Sequence, residues 1–166
     1  MPHVRKSAKK APIAENLLTA LHIGASSVSL MVAERADDSA LTPVDFLEQP
    51  APIARDIFRN GEVSASTTER VVSIIKGYQK SLAELGLDPH DVTRAVATNI
   101  LSEATNHETF MNRIRIACGL RISTIDDGEM TRLIYLKTRR RLQSLPAMRK
   151  DITLVLHVGP GNTRAL

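Results

Sequence analysis

The amino-acid sequence predicts an α/β domain. Three observations carry this reading: an opening series of short strand-like segments joined by tight turns, a long amphipathic helical stretch after residue 65, and a further alternation of apolar runs with helical patterns up to residue 158. The expected order is βββαβαβα, followed by a strand that starts a second half. With 166 residues, 43% of them hydrophobic and 24% charged, the chain can enclose one core and has an ordinary globular composition.

Leu17 to Gly24 and Ser27 to Glu34 read as the first two strands, and Asp37-Asp38-Ser39 as a turn into a third at about Leu41 to Leu47. Tight connections between them predict an antiparallel meander. Gln49-Pro50-Ala51-Pro52 is expected to open a loop, because proline lacks the N–H that either regular element uses. Ser66 and Glu69 have the spacing of a capping box; Val71, Ile74, Ile75, Tyr78, Leu82 and Leu85 follow at helical intervals, and Gly86 supplies the stop. Val92 to Thr98 reads as a buried strand. Asn106 to Cys118 reads as a helix with Phe110, Ile114 and Ala117 on one face, and Leu120 to Ile125 as a short strand. Asp126 to Leu145 is expected to be helical, with acidic residues at its start and Lys137, Arg139, Arg140 and Arg141 nearer its end, the order that the helix dipole favours. Ile152 to Val158 reads as a last buried strand. The division this suggests is a basic arm at 1–16, a domain at 17–150, and at 151–166 the first strand and turn of a second, truncated domain. The ending Thr163 to Leu166, where a hairpin's return strand should run, reads as a fragment of a longer protein.

Charge is unevenly placed. Arg5, Lys6, Lys9 and Lys10, less Glu15, account for +3 of the net +4, so the remainder of the chain is close to neutral. The arm reads as a solvated tail, and Lys137 to Arg141 as a solvated helix end. An aromatic content of 3% without tryptophan supplies few stacking platforms, which argues against single-stranded nucleic acid as a partner. No apolar run is long enough for a membrane span and none follows the basic start as a signal peptide would require, so a cytoplasmic location is expected. The single cysteine, Cys118, falls in a helical pattern and is expected to be a buried small residue. His3, His90 and His107 lie in the arm or at turns and helix starts and are given no functional weight.

Two segments share one form: Leu21-His22-Ile23-Gly24-Ala25-Ser26-Ser27 and Leu156-His157-Val158-Gly159-Pro160-Gly161-Asn162-Thr163. Each is an apolar run ending in histidine, a β-branched residue and glycine, then small hydroxyl or amide residues. A strand that stops at glycine and opens such a turn can aim backbone N–H groups at an anion. The candidate phosphate-binding residues are therefore Gly24, Ala25, Ser26, Ser27, Gly159, Gly161, Asn162 and Thr163.

These segments resemble the two phosphate loops of the exopolyphosphatase / guanosine pentaphosphate phosphohydrolase (Ppx/GppA) family, of the types I-D-I-G-S-N-S-x-H-L and L-V-I-D-I-G-G-G-S-T. Three further stretches, in order, extend the resemblance over residues 18–166. Gly61-Glu62-Val63-Ser64 with Glu69-Arg70 is similar to the start of the family's first helix. Ala97-Thr98, Leu101, Glu103-Ala104, Asn106 and Phe110 resemble A-T-S-x-L-R-E-A-x-N-x-x-x-F, and Arg132-Leu133-Ile134-Tyr135 resembles the R-L-I-Y that follows S-G-E-E-E-A. The resemblance implies an actin-like domain (the ribonuclease H-like superfold of sugar kinases, Hsp70 and actin). It also implies hydrolysis of the terminal phosphate of polyphosphate or guanosine pentaphosphate, with a divalent cation, backbone donors and a carboxylate that activates water.

The sequence departs from that pattern where the chemistry is done. Both loop aspartates are histidine, His22 and His157; of the three glutamates only the middle one remains, Glu129, flanked by Gly128 and Met130. The arginine expected after Leu101 is Ser102, the R-L-G-E-G loop reads Pro52-Ile53-Ala54-Arg55-Asp56, and Pro160 removes an N–H from the second loop. Glu129 is the candidate base, and His22 and His157 are candidate metal ligands. Mg²⁺ prefers oxygen donors, so Zn²⁺ or Mn²⁺ would suit imidazoles better, unless the site holds no metal. Three readings follow: a degenerate domain that binds polyphosphate or a phosphorylated nucleotide, an active phosphohydrolase with an altered metal site, and a non-catalytic interaction module. A homodimer is compatible with each.

Overall fold

The computed structural model describes residues 16–36, 40–143, 154–159 and 163–165. Strands β1 (Leu17–Ile23), β2 (Ser27–Arg35) and β3 (Leu41–Pro50) form the expected antiparallel meander, and β4 (Arg94–Thr98) and β5 (Ser123–Ile125) extend it in parallel to give the order β3-β2-β1-β4-β5. The helices are α1 (Ile53–Asn60), α2 (Ala65–Glu84), α3 (His107–Cys118) and α4 (Asp127–Gln143), with a 3₁₀ turn at Asn99–Glu103. A separate antiparallel hairpin, β6 (Leu156–Val158) and β7 (Thr163–Ala165), follows α4.

Period-two alternation builds the core. Leu21 and Ile23 of β1 stand opposite Leu30 and Val28 of β2, and all four are buried. They join Ile53 and Ile57 of α1, Val71 and Ile75 of α2, and Phe110 and Ile114 of α3 in one apolar cluster. Tyr78 crosses from α2 to donate its hydroxyl to Val28 O at 2.9 Å, which pins that helix to the meander. Cys118 is buried, as expected, and ends α3's inward face in place of the partly buried Ala117.

Several expectations need correction. The stretch after Pro52 is helix α1, not loop: Pro52 precedes it, Ile53, Ala54 and Ile57 fall on one buried face, and Gly61 closes it at φ +73°. The short length hid its period. The third strand runs on to Pro50 because β3 is an edge, where proline's missing N–H costs no ladder bond; Pro43 sits beside a bulge for the same reason. The cap of α2 is Ser64, whose Oγ accepts from Thr67 N at 3.2 Å, rather than Ser66. Asn106, expected as the first helical residue, is the N-cap position of α3 without a side-chain cap bond; its amide instead clamps Val63, donating to the carbonyl at 2.7 Å and accepting from the N–H at 3.0 Å. β4 and β5 are shorter than expected. β6 is no buried strand: it pairs with β7 alone, in the return-strand position, and leaves Leu156 64% and Val158 76% exposed. The basic arm, apart from its last residue, lies outside the described residues, as does the part of the helix expected beyond Gln143.

Asp56 ties α1 to α2. Its carboxylate accepts from Ser64 N at 3.1 Å and from Ser64 Oγ at 2.6 Å while being itself buried. Burial pushes the carboxyl pKa up, but hydrogen bonds from Ser64 and Thr67 and the charge of Arg55 outweigh it and hold the group below its ordinary 3.8. A depressed native pKa stabilises the fold above the ordinary value, and the gain is lost as pH falls through the native one. Asp56→Asn is expected to cost about 1–3 kcal/mol in urea melts at pH 7. It should also flatten the loss of stability on acidification below pH 3.8; an unchanged acid slope would remove Asp56 from this role.

Candidate functional site

The alternation that buries Leu21 and Ile23 places His22 on the opposite face of the sheet. There it stands level with Ser29 of β2 and Val96 of β4, and Ser29 in turn with Glu48 of β3. The turn after β1 is built from its own backbone. Gly24 N–H donates to Ser27 O at 2.8 Å, while the carbonyls of Ala25 and Ser26 accept from Ala54 N at 2.7 Å and Ala51 N at 2.9 Å, so the start of α1 is docked on the turn. A Cβ on residue 24 would stand 3.2 Å from both His22 Cε1 and Ser27 O, and glycine admits this close approach. Ser27 Oγ donates to Glu48 Oε1 at 2.6 Å and fixes the opposite rim.

These residues line a cleft of about 380 Å³. His22, Gly24, Ala25, Ser26, Ser27 and Glu48 form one wall; Thr98, Asn99 and Ile100, at the end of β4, form the floor; Met130 of α4 and His157, Val158, Gly159 and Arg164 of the β6–β7 hairpin complete it. The two His-x-Gly segments, 135 positions apart in the chain, thus reach one cavity. Burial holds the His22 imidazole below its ordinary 6.5, partly opposed by the nearby Glu48 carboxylate, so the site favours the uncharged ring. His22 Nε2 and His157 Nδ1 are buried without a hydrogen-bond partner among the described residues.

Other candidates lie elsewhere. Glu129 is not in this cleft. Its carboxylate takes a bidentate pair from Arg132, Nε to Oε2 at 2.6 Å and Nη2 to Oε1 at 2.8 Å, which holds its pKa below the usual carboxylate range. It lines a second cavity with Arg94, Val96, Ser123 and Asp126, and α4 presents Met130 to the cleft in its stead. Asp126 accepts from Glu129 N at 2.7 Å and so serves the first turn of α4. Thr163 begins β7 but is not among the lining residues, and Gly161 and Asn162 lie outside the described residues. Sequence reasoning missed Glu48 and Arg164 as lining residues. Glu48 is found only through the register of β3, and Arg164 only through its position opposite His157 in the hairpin.

Among the described residues no three His, Cys, Asp or Glu side chains come together as a metal site. The described lining of the cleft offers two imidazoles and the Glu48 carboxylate, which accepts from Ser27, and this set lacks the several oxygen donors that Mg²⁺ takes. Among the described residues, no helix is long and apolar enough to cross a membrane.

The model of the Ppx/GppA phosphatase family matches residues 31–159. Exopolyphosphatase 1 of Mycobacterium leprae is 24% identical over 123 residues, covering 74% of this chain and 35% of that protein; exopolyphosphatase 1 of Mycobacterium tuberculosis is 23% identical over the same length. Among solved structures, the type II variant of the Aquifex aeolicus Ppx/GppA phosphatase aligns with a TM-score of 0.70 at 23% identity, over 89% of this chain and 46% of that one. An exopolyphosphatase from Cytophaga hutchinsonii aligns with a TM-score of 0.72 at 16% identity, over 90% and 50%. The chain therefore spans about a third of the length of the curated relatives and about half that of the solved ones, and the shared fold is the actin-like one expected from the sequence.

The electrostatics of the cleft lead to a direct expectation. In an NMR titration the His22 imidazole should have its midpoint below 6.5, and Glu48→Gln should lower it further, because the substitution removes the charge that favours the protonated ring. A midpoint at or above 6.5 would mean that the ring is solvated rather than buried in the cleft.

Proposed function

We propose for this chain, which belongs to the Ppx/GppA phosphatase family, the role of a domain that binds the phosphate groups of polyphosphate or a phosphorylated nucleotide without Mg²⁺-dependent hydrolysis. The observation that carries the proposal is the pairing of His22 with His157 in one cleft, where the family resemblance calls for two aspartates.

The chemistry follows from what each residue can offer. Phosphoryl transfer at a metal needs carboxylate oxygens to hold the ion, and the two imidazoles do not replace them. A general base contributes ~10²–10⁴-fold to rate. Glu129 is turned to Arg132, and the residue facing the cleft is the thioether Met130, which cannot take a proton from water. What remains suits recognition: the hydroxyls of Ser26 and Thr98, the amide of Asn99, and the small residues Gly24, Ala25, Ser27 and Gly159, which let a chain of tetrahedral oxyanions approach the backbone. Gly161, Asn162 and Thr163 would extend this set from the second turn. Polyphosphate is the first ligand to test, because the curated relatives carry the name exopolyphosphatase.

Calorimetric titration of the chain with polyphosphate, and separately with guanosine tetraphosphate, is expected to show saturable binding of at least one. Orthophosphate release in the presence of Mg²⁺, Mn²⁺ or Zn²⁺ should not rise above the protein-free rate. Release with any of these metals would establish an active phosphohydrolase. Absence of binding to both ligands would leave the interaction-module reading in its place.

A further inference from the structure

Among the described residues, five buried side-chain polar atoms have no hydrogen-bond partner: His22 Nε2, Thr98 Oγ1, His107 Nε2, His157 Nδ1 and Arg164 Nε. Four of the five belong to residues that line the one cleft, and the exception, His107, lies on α3 away from it. An unpaired buried polar atom costs about 1–3 kcal/mol, so such atoms are normally scattered and few. They come from β1, the end of β4, β6 and β7, and all four residues border one cavity, which is where a polar partner would meet them.

Arg164 decides what that partner is. Among the described residues it is the sole lysine or arginine lining the cleft, and its side chain is only 11% exposed. The first turn of α4 holds the far end of the guanidinium: Nη2 pairs with the Asp127 carboxylate, and Nη1 donates to Asp127 O and to Thr131 Oγ1, each at 3.1 Å. Three acceptors thus fix the plane of the group and take three of its five N–H donors, leaving Nε–H and one Nη2–H. A guanidinium fixed this way is an oriented donor with little side-chain entropy left to lose. The register puts Arg164 directly opposite His157, so both side chains leave the hairpin on one face.

We infer that Arg164, anchored by Asp127, is the cationic donor to the phosphate group bound in this cleft, in place of a divalent cation, with Thr98 and the imidazoles of His22 and His157 donating to the remaining oxygens. This rests on the phosphate-binding role proposed above and adds to it the group that supplies the charge. A tetrahedral oxyanion fits a set of one guanidinium, one hydroxyl and two imidazole donors. Asp127 is a positioning residue. It touches no ligand, and its neutralisation should loosen the guanidinium rather than remove the positive charge.

The test is calorimetry of the chain with polyphosphate, guanosine tetraphosphate and orthophosphate as separate probes, in EDTA and then with added Mg²⁺. The expected result is that wild-type affinity is the same in both buffers and that Arg164→Gln lowers it about 10- to 100-fold. Arg164→Lys should not restore it, because an ammonium cannot hold Asp127, Thr131 and an oxyanion at once. Asp127→Asn should weaken binding less than Arg164→Gln and restore part of its loss when salt is lowered. Thr98→Val, which leaves the hairpin intact, should weaken binding severalfold, so the inference stays testable even if Arg164→Gln disturbs the hairpin. Wild-type binding that requires Mg²⁺, or unchanged affinity in both Arg164→Gln and Thr98→Val, would overturn the inference and leave the binding role standing. Failure of the wild-type chain to bind any of the three probes would overturn both.

Discussion

The alternation of side chains along β1 is the constraint on which the rest depends. Leu21 and Ile23 must face the helices, because between them they meet Leu30, Val28 and the apolar faces of α1, α2 and α3. A slip of one residue would put His22 into that core and two large aliphatic side chains on the open face, at several kcal/mol. The register therefore aims His22 into the cleft with the full weight of core burial behind it. The turn that follows is fixed equally firmly, since its carbonyls receive the N–H groups of Ala51 and Ala54. Fold and site are one construction here: the hydrogen bonds that start α1 also shape the wall of the cavity.

Much of this was legible in the sequence because it is written in local pattern. The meander shows in alternation, α2 in the series Val71, Ile74, Ile75, Tyr78 and Leu82, and the two turns in their His-x-Gly form. Family membership, resting on motifs in order, was legible too. What escaped depended on tertiary partners or on very short periods. Helix α1 has two turns and offers only Ile53, Ala54 and Ile57 as its signal, with a proline in front that reads equally well as a loop. Ser64 outcompetes Ser66 as a cap because buried Asp56 holds it, a contact between residues that sequence pattern does not link. The exposure of β6 follows from its having β7 as its partner rather than the main sheet.

The candidate site divides in the same way. The histidines and small residues of the turns are visible in sequence because they sit in a repeated form. Glu48 reaches the cleft only through strand register, and Arg164 only through the hairpin. Glu129 shows the converse, since its place in an acidic stretch suggested a base while the helix geometry gives it to Arg132 three residues on. What results is a scaffold of the Ppx/GppA family whose cleft, among the described residues, carries imidazole, hydroxyl and guanidinium groups, with the Glu48 carboxylate engaged by Ser27. In the reading proposed above, that combination holds phosphate oxygens rather than the ion that would activate water against them.

The claim at the centre of this account is that His22 and His157 serve a single phosphate-binding cleft without a metal. The most direct measurement follows the imidazole proton resonances of both histidines, each assigned by its own substitution to Gln, while inorganic triphosphate is added in EDTA. The account predicts that both sets of signals shift along one saturation curve with a common dissociation constant. Shifts confined to one histidine, or appearing in both only after Mg²⁺ is supplied, would contradict it.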